Sequence, residues 1–148
     1  MIAVVQRVLN VKVTVEGVKT GSIGQGLLVL LGVEKGDMEK DLDYIVHKTA
    51  GLRIFENNGR MDRSVVDIGG EILVVSQFTL AGDVRHGNRP DFTDAEEPGI
   101  AREMYEKCIE SFQGMGIKVE SGEFGAYMKV DSSGDGPVTI LLNSRKLY

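Results

Sequence analysis

The side chains that most often carry out chemistry are sparse in this chain. It has two histidines, His47 and His86, and one cysteine, Cys108. The histidines stand far apart, with no HxxxH or CxxC pattern beside them, so no metal site is expected. His86 lies in the loop Arg85-His86-Gly87-Asn88-Arg89 and is the better general-base candidate; His47 falls beside an apolar helical stripe and reads as a surface or boundary residue. Cys108 lies on another such stripe, where a small core side chain is expected rather than a nucleophile. The run Gly21-Ser22-Ile23-Gly24-Gln25-Gly26 is glycine-rich but precedes a strand pattern, so it reads as a turn and not a phosphate cradle. No GxSxG elbow is present. Two polar groups in apolar surroundings remain. Ser76-Gln77-Phe78-Thr79 continues directly from the apolar run Ile72–Val75. Polar side chains at a buried strand end must find partners or cost about 1–3 kcal/mol each, so they either satisfy a turn or line a site. Gly134-Asp135-Gly136-Pro137-Val138-Thr139 puts a proline, which donates no amide hydrogen, at the opening of a strand. It reads as an ordinary turn or as a place where carbonyls stand exposed, free of bulky neighbours.

The elements that must position these groups follow from periodicity. Leu27–Leu31, Ile72–Val75 and Val138–Leu142 are short, apolar and bounded by glycine or proline, the pattern of strands buried on both faces. Met1–Leu9 and Val11–Val15 are two further strands, with a turn at Glu16-Gly17. Leu52–Phe55, followed by a turn at Asn57-Asn58-Gly59, and the shorter Ile117–Val119 and Tyr127–Val130 complete the set. Met38, Leu42, Ile45, Val46 and Thr49 recur at helical spacing, with Asp37 as N-cap and Gly51 at the end. Ala101, Met104, Tyr105, Cys108, Ile109 and Phe112 form a second stripe, opened by Pro98 and stopped by Gly114 and Gly116. Many strands with two separated helices make an α+β fold, read as one domain over residues 1–148.

At 148 residues and 42% apolar, the chain can bury a core without disulfide or metal staples. No apolar run reaches the roughly 18 residues of a membrane span. The N-terminus lacks the pattern of a secretory signal and the single cysteine has no internal partner, so a cytoplasmic protein is expected. The formal net charge of −5 argues against an extended nucleic-acid coat, but leaves room for an RNA held at one end. The acidity sits mainly in the middle of the chain.

Ser76-Gln77-Phe78-Thr79-Leu80 together with Gly136-Pro137-Val138-Thr139 resembles the signature pair of the D-aminoacyl-tRNA deacylases, also called the D-tyrosyl-tRNA deacylase family. The resemblance extends over essentially the whole chain, through Val4-Val5-Gln6-Arg7-Val8, Gly26–Val33, Leu52-Arg53-Ile54-Phe55 and Phe124-Gly125-Ala126-Tyr127-Met128-Lys129-Val130. Gly134 and Ala81 depart from the asparagine and tyrosine common at those positions. The resemblance implies a mainly β, barrel-like core with two helices, assembled as a cytoplasmic homodimer. It implies hydrolysis of the ester that joins a D-amino acid to the 3′-terminal adenosine of tRNA, with glycine mischarged on tRNA-Ala also accepted, and no cofactor or metal. It further implies a cis Gly136-Pro137 peptide reaching into the partner's pocket, locked by Arg7. Ser76, Gln77, Phe78 and Thr79 would form the other wall, and Met128 would lie against the terminal adenine.

Such an ester, beside a free ribose hydroxyl, is already activated. On this reading the protein positions the ester and a water, the vicinal 2′-hydroxyl assists, and amides around Gln77–Phe78 receive the oxyanion. Thr79 is the side chain to consider for a direct role, as nucleophile or as positioning group. L-Aminoacyl esters would be rejected by collision with the Gly136-Pro137 carbonyls. The alternatives are a nucleic-acid-binding dimer without turnover and a dimer that binds a small molecule in the same pocket.

Overall fold

The structure is a computed structural model and describes residues 1–148. In chain order it comprises β1 (Ile2–Val15), β2 (Val18–Ile23), β3 (Gly26–Gly32), α1 (Glu39–Gly51), β4 (Phe55–Asn57), β5 (Arg60–Arg63), β6 (Glu71–Ser76), α2 (Pro98–Gly114), β7 (Lys118–Ser121) and β8 (Lys129–Asn143). A single 3-10 turn, Phe78–Ala81, follows β6.

One long strand organises the sheet. β8 runs antiparallel along β1 from Ile2 to Thr14, so β3 and β2 share the other edge of β1, at Ile2–Val8 and Val11–Val15 respectively. β6 then joins β3 in parallel, and β7 joins β6 in parallel. The sheet curls until β7 approaches β2, giving a mixed, nearly closed barrel. The approach needs glycine: a Cβ on Gly21 would stand 2.5 Å from the Ser121 carbonyl oxygen.

The continuous apolar runs of β3 and β6 are explained by two cores. Leu27, Val29 and Leu31 with Ile72 and Val74 face the larger core, which α1 and α2 cover with Leu42, Ile45, Val46, Met104, Cys108 and Phe112. Leu28, Leu73 and Val75 point the other way and meet Val8, Val11, Val13 and Ile23. Strands sandwiched in this way have no polar face to show. Completely burying one such aliphatic side chain is worth about 1.5–3 kcal/mol, so the two cores clamp β3 and β6 firmly.

Several expected boundaries differ. The strands expected at Met1–Leu9 and Val11–Val15 are one, because the ladder to β8 absorbs the break through register shifts around Val8, which leave Leu9 and Asn10 exposed. Tyr127–Val130 and Val138–Leu142 likewise belong to one element: β8 starts at Lys129 and continues through the Gly-Pro pair, leaving Tyr127 and Met128 outside it. Nor is Val138–Leu142 buried on both faces; Val138, Ile140 and Leu142 turn inward while Thr139 and Leu141 are exposed. That alternation is what an outer strand paired only to β1 requires. Of Leu52–Phe55 only Phe55 is strand, and it pairs with β5 across a tight turn in which Asn58 and Gly59 take φ of 51° and 80°. Asp37 is not the cap of α1. Its carboxylate is taken by the Met1 ammonium at 2.6 Å and the Glu34 amide at 2.7 Å, so Met38 occupies the cap position and donates its own amide to Asp41.

Candidate active site

β6 delivers the polar run to the end of the sheet. The Gln77 amide donates to the Leu31 carbonyl at 2.8 Å, adding one more rung beside β3, and the chain then coils into the 3-10 turn. Gln77 is therefore no oxyanion donor through its backbone, contrary to the expectation from sequence, because that hydrogen is already committed. Phe78 and Thr79 open the turn, and the first amides of a helical turn have no acceptor within it. The Gln77 side-chain amide donates to the Thr79 hydroxyl. Phe78 rests edge-on against Phe92, with ring centroids 5.1 Å apart and an interplanar angle of 70°.

Ser76, Gln77, Phe78 and Thr79 line a cleft of about 640 Å³, and Met128 faces them from the segment that enters β8. Beneath the cleft, in the core and outside the lining itself, lies Tyr105 of α2, whose buried hydroxyl donates to the Val74 carbonyl at 3.0 Å and lies 3.5 Å from that of Gly122. Burial pushes the Tyr105 phenol above its ordinary pKa, so it stays protonated and able to donate. Its ring packs against Phe124, 5.7 Å between centroids, and Arg102 covers the same ring. Glycine at 122 leaves room for Met128: a Cβ there would come within 2.5 Å of the methionine sulfur.

Arg7, Gly136 and Pro137 lie outside this cleft and form a second group. The Gly136-Pro137 peptide is cis, and both residues are exposed. Arg7 secures the segment before it. Its Nη1 donates to the Ile54 carbonyl at 2.6 Å and its Nε to the Asp135 carbonyl at 3.2 Å, with the Asp135 carboxylate 3.1 Å away. Gly136 has φ +120°, a conformation that side chains rarely tolerate, and a Cβ there would meet Arg7 Nη2 at 3.1 Å. Within one chain, then, the wall residues and the Gly-Pro group are separate.

The remaining candidates stand away from both groups. Cys108 is fully buried, and burial pushes its thiol up to about 12. His47 lies on α1, its Nδ1 2.8 Å from the Asp43 carbonyl, beside a groove of about 630 Å³ that holds none of the residues above. In the Arg85–Arg89 island, Arg85 is engaged by Asp83 at 2.6 Å, and that pairing holds the aspartate well below the usual carboxylate range. No group of three or more His, Cys, Asp or Glu side chains is arranged to hold a metal ion. No helix is long and apolar enough to cross a membrane.

The family model described as D-Tyr-tRNA(Tyr) deacylase matches residues 4–143. The chain belongs to that family. A D-aminoacyl-tRNA deacylase of Thermosipho africanus is 51% identical over 149 residues, and one of Desulfitobacterium hafniense is 54% identical over 149 residues; each match covers 100% of both chains. Membership in the D-Tyr-tRNA(Tyr) deacylase family makes this chain a hydrolytic enzyme. A solved structure described as the c-Myc DNA unwinding element binding protein is 43% identical, with a TM-score of 0.91 over 97% of this chain and 98% of that one. A structure described as a "probable eukaryotic D-amino acid tRNA deacylase" is 17% identical, with a TM-score of 0.82 over 96% and 98%, and shares the fold.

In this D-Tyr-tRNA(Tyr) deacylase family member the cleft also involves residues that the sequence did not single out. Phe124 lines the cleft and is backed by the buried Tyr105, and Tyr127 is part of the same lining. Tyr105 was legible in part: a tyrosine within an apolar helical stripe must find a partner for its hydroxyl. Nothing local marks Tyr127, because its placement depends on a turn at Gly125 and on where β8 begins.

Proposed function

We propose that this chain hydrolyses the ester of D-aminoacyl-tRNA, releasing the D-amino acid and free tRNA. The observation that carries the reading is a cleft walled by Ser76–Thr79 and Met128 in which no base is hydrogen-bonded to a hydroxyl: Thr79 is engaged by the Gln77 amide, and Glu96, the one carboxylate of the lining, accepts from the Glu97 backbone amide. This cleft occurs in a chain more than half identical to proteins named D-aminoacyl-tRNA deacylases. An aminoacyl ester flanked by a ribose hydroxyl needs placement more than a strong base. Holding it beside a water and its own 2′-hydroxyl removes most of the entropic part of the barrier. The amides of Phe78 and Thr79 would meet the developing oxyanion. Thr79, already accepting a hydrogen bond from Gln77, would position the substrate, since no histidine lines the cleft to take its proton.

The stereochemical choice would come from a second copy of the chain. β8 is an outer strand of 15 residues, mostly exposed up to Leu141, and such an edge favours pairing with another chain. In a dimer, the Gly136 and Pro137 segment, held rigid by Arg7, would enter the partner's cleft. Its carbonyls would then face the substrate's α-carbon, leaving space for a hydrogen but not for an L side chain. Glycine has no side chain there, so glycyl-tRNA, including glycine mischarged on tRNA-Ala, would be accepted too. A soluble, cytoplasmic dimer acting on charged tRNA fits this role.

The test is to incubate the protein with D-tyrosyl-tRNA and follow release of the amino acid, with sedimentation to read the assembly. Release by a dimer is expected; intact ester after prolonged incubation would overturn the reading. The likeness to a DNA unwinding element binding protein favours a second reading, nucleic-acid binding without turnover. Salt-sensitive binding to DNA with no ester hydrolysis is its signature, and the net charge of −5 weighs against it.

A further inference from the structure

Three aromatic rings border the cleft, and two of them are braced. Phe78 leans on Phe92, and Phe124 is held between Tyr105 and Arg102. Tyr127 is different. Its side chain is 95% exposed, it pairs with no other ring or cation, and its hydroxyl makes no hydrogen bond within the chain. Leaving the apolar faces of a tyrosine in water forgoes most of what an aromatic ring contributes to folding. The backbone beneath it is nevertheless fixed. Gly125 takes φ +77°, the Ala126 amide donates to Glu123 at 3.2 Å, and the β8 ladder starts two residues later. The adjoining Met128 turns inward onto the smaller core. A rigidly mounted, unpartnered aromatic face at the mouth of a cleft is the usual equipment for stacking a base of single-stranded nucleic acid.

Resting on the proposed function, we infer that Tyr127 is the stacking platform for the nucleotide that precedes the terminal adenosine, a cytidine in tRNA. On that reading the terminal adenine would lie against Met128, and the strand would leave the cleft across the neighbouring lining position, which Tyr127 occupies. Its role is therefore one of substrate positioning: it grips the RNA and leaves the ester chemistry to the residues inside.

The probes are two small esters, D-tyrosyl-adenosine and D-tyrosyl-cytidylyl-adenosine, which differ only in that cytidine. The wild-type protein should cleave the dinucleotide ester with kcat/KM about tenfold above that of the nucleoside ester, the size expected for one base–aromatic stack. Tyr127→Ala should lose that gain, chiefly through KM, while cleaving D-tyrosyl-adenosine like the wild type. Tyr127→Phe, which keeps the ring, should retain it. A Tyr127→Ala variant that keeps the gain, or that loses activity equally on both esters, would overturn the inference. So would an altered sedimentation coefficient, which would mark Tyr127 as a contact between copies. Failure of the wild-type protein to cleave either ester would instead remove the parent reading, and this inference with it.

Discussion

Arg7 grips Asp135 at both its main chain and its side chain. The guanidinium Nε lies 3.2 Å from the Asp135 carbonyl oxygen and 3.1 Å from its carboxylate. A third contact, to Ile54, ties the same side chain to the segment after α1. One planar, permanently charged group thus fixes the residue that immediately precedes Gly136-Pro137, a task for which a flexible ammonium is a poor substitute.

Arg7→Ala should therefore lower stability by about 1–3 kcal/mol, since charged hydrogen bonds are lost in a partly solvated setting. In a chain of this size that is about 2–4 °C in Tm for each kcal/mol. Hydrolysis of D-aminoacyl-tRNA should fall at least about tenfold, because the Gly-Pro segment loses its anchor. Arg7→Lys should recover little of it. Thermal melts and initial rates on the same samples check this; full activity in both variants would show that the anchor is not needed.

Gly136→Ala tests the same segment from its other side. The added methyl would sit at φ +120°, 3.0 Å from a Val138 methyl and 3.1 Å from Arg7 Nη2. Strain of this kind costs about 1–3 kcal/mol, and the carbonyls must move to relieve it. Turnover should collapse while the fold, followed by circular dichroism, survives. Wild-type turnover would contradict the role given to this backbone.

Thr79→Ala separates positioning from covalent catalysis. If Thr79 orients the ester, the variant should retain turnover, reduced by about tenfold. Loss of an obligatory nucleophile would cost on the order of 10⁴-fold or more. Single-turnover rates with substrate binding measured in parallel distinguish the two, and abolished hydrolysis with intact binding would reinstate the nucleophile.

Cys108 should be silent toward thiol reagents. Its side chain is fully buried, and burial raises its thiol to about 12, so at pH 8 almost no thiolate exists in the folded protein. Iodoacetamide should label it only as fast as the protein unfolds, leaving activity unchanged. The same shift sets a sign for stability. The folded pKa lies above the unfolded one, so the contribution is fully present below pH about 8.5 and is lost as pH rises toward 12. Chemical denaturation at pH 8 and pH 10 should show lower stability at the higher pH, with Cys108→Ala less affected. Rapid labelling of native protein would contradict this placement.

The parts of the fold that were legible in sequence are those where one local signal dominates. α1 and α2 follow directly from their apolar stripes, and the Asn57-Asn58-Gly59 turn from residues that accept a positive φ. β3 and β6 follow from their unbroken apolar runs, because both of their faces meet a core. What failed depended on partners distant in the chain. Asp37 looks like a helix cap until the Met1 ammonium claims it. The continuity of β1 past Asn10 becomes evident only once β8 lies alongside. In the cleft, Ser76–Thr79 stood out because polar groups at the end of a buried strand need an explanation. The separation of Arg7, Gly136 and Pro137 from that cleft within one chain is a three-dimensional fact that no local pattern carries.

The account turns on handedness, so the deciding measurement is deacylation of matched D-tyrosyl-tRNA and L-tyrosyl-tRNA under single-turnover conditions. The D ester should be cleaved at least about a hundredfold faster, a difference of about 2.7 kcal/mol in barrier, with the L ester close to its spontaneous rate. Comparable rates for the two would contradict it.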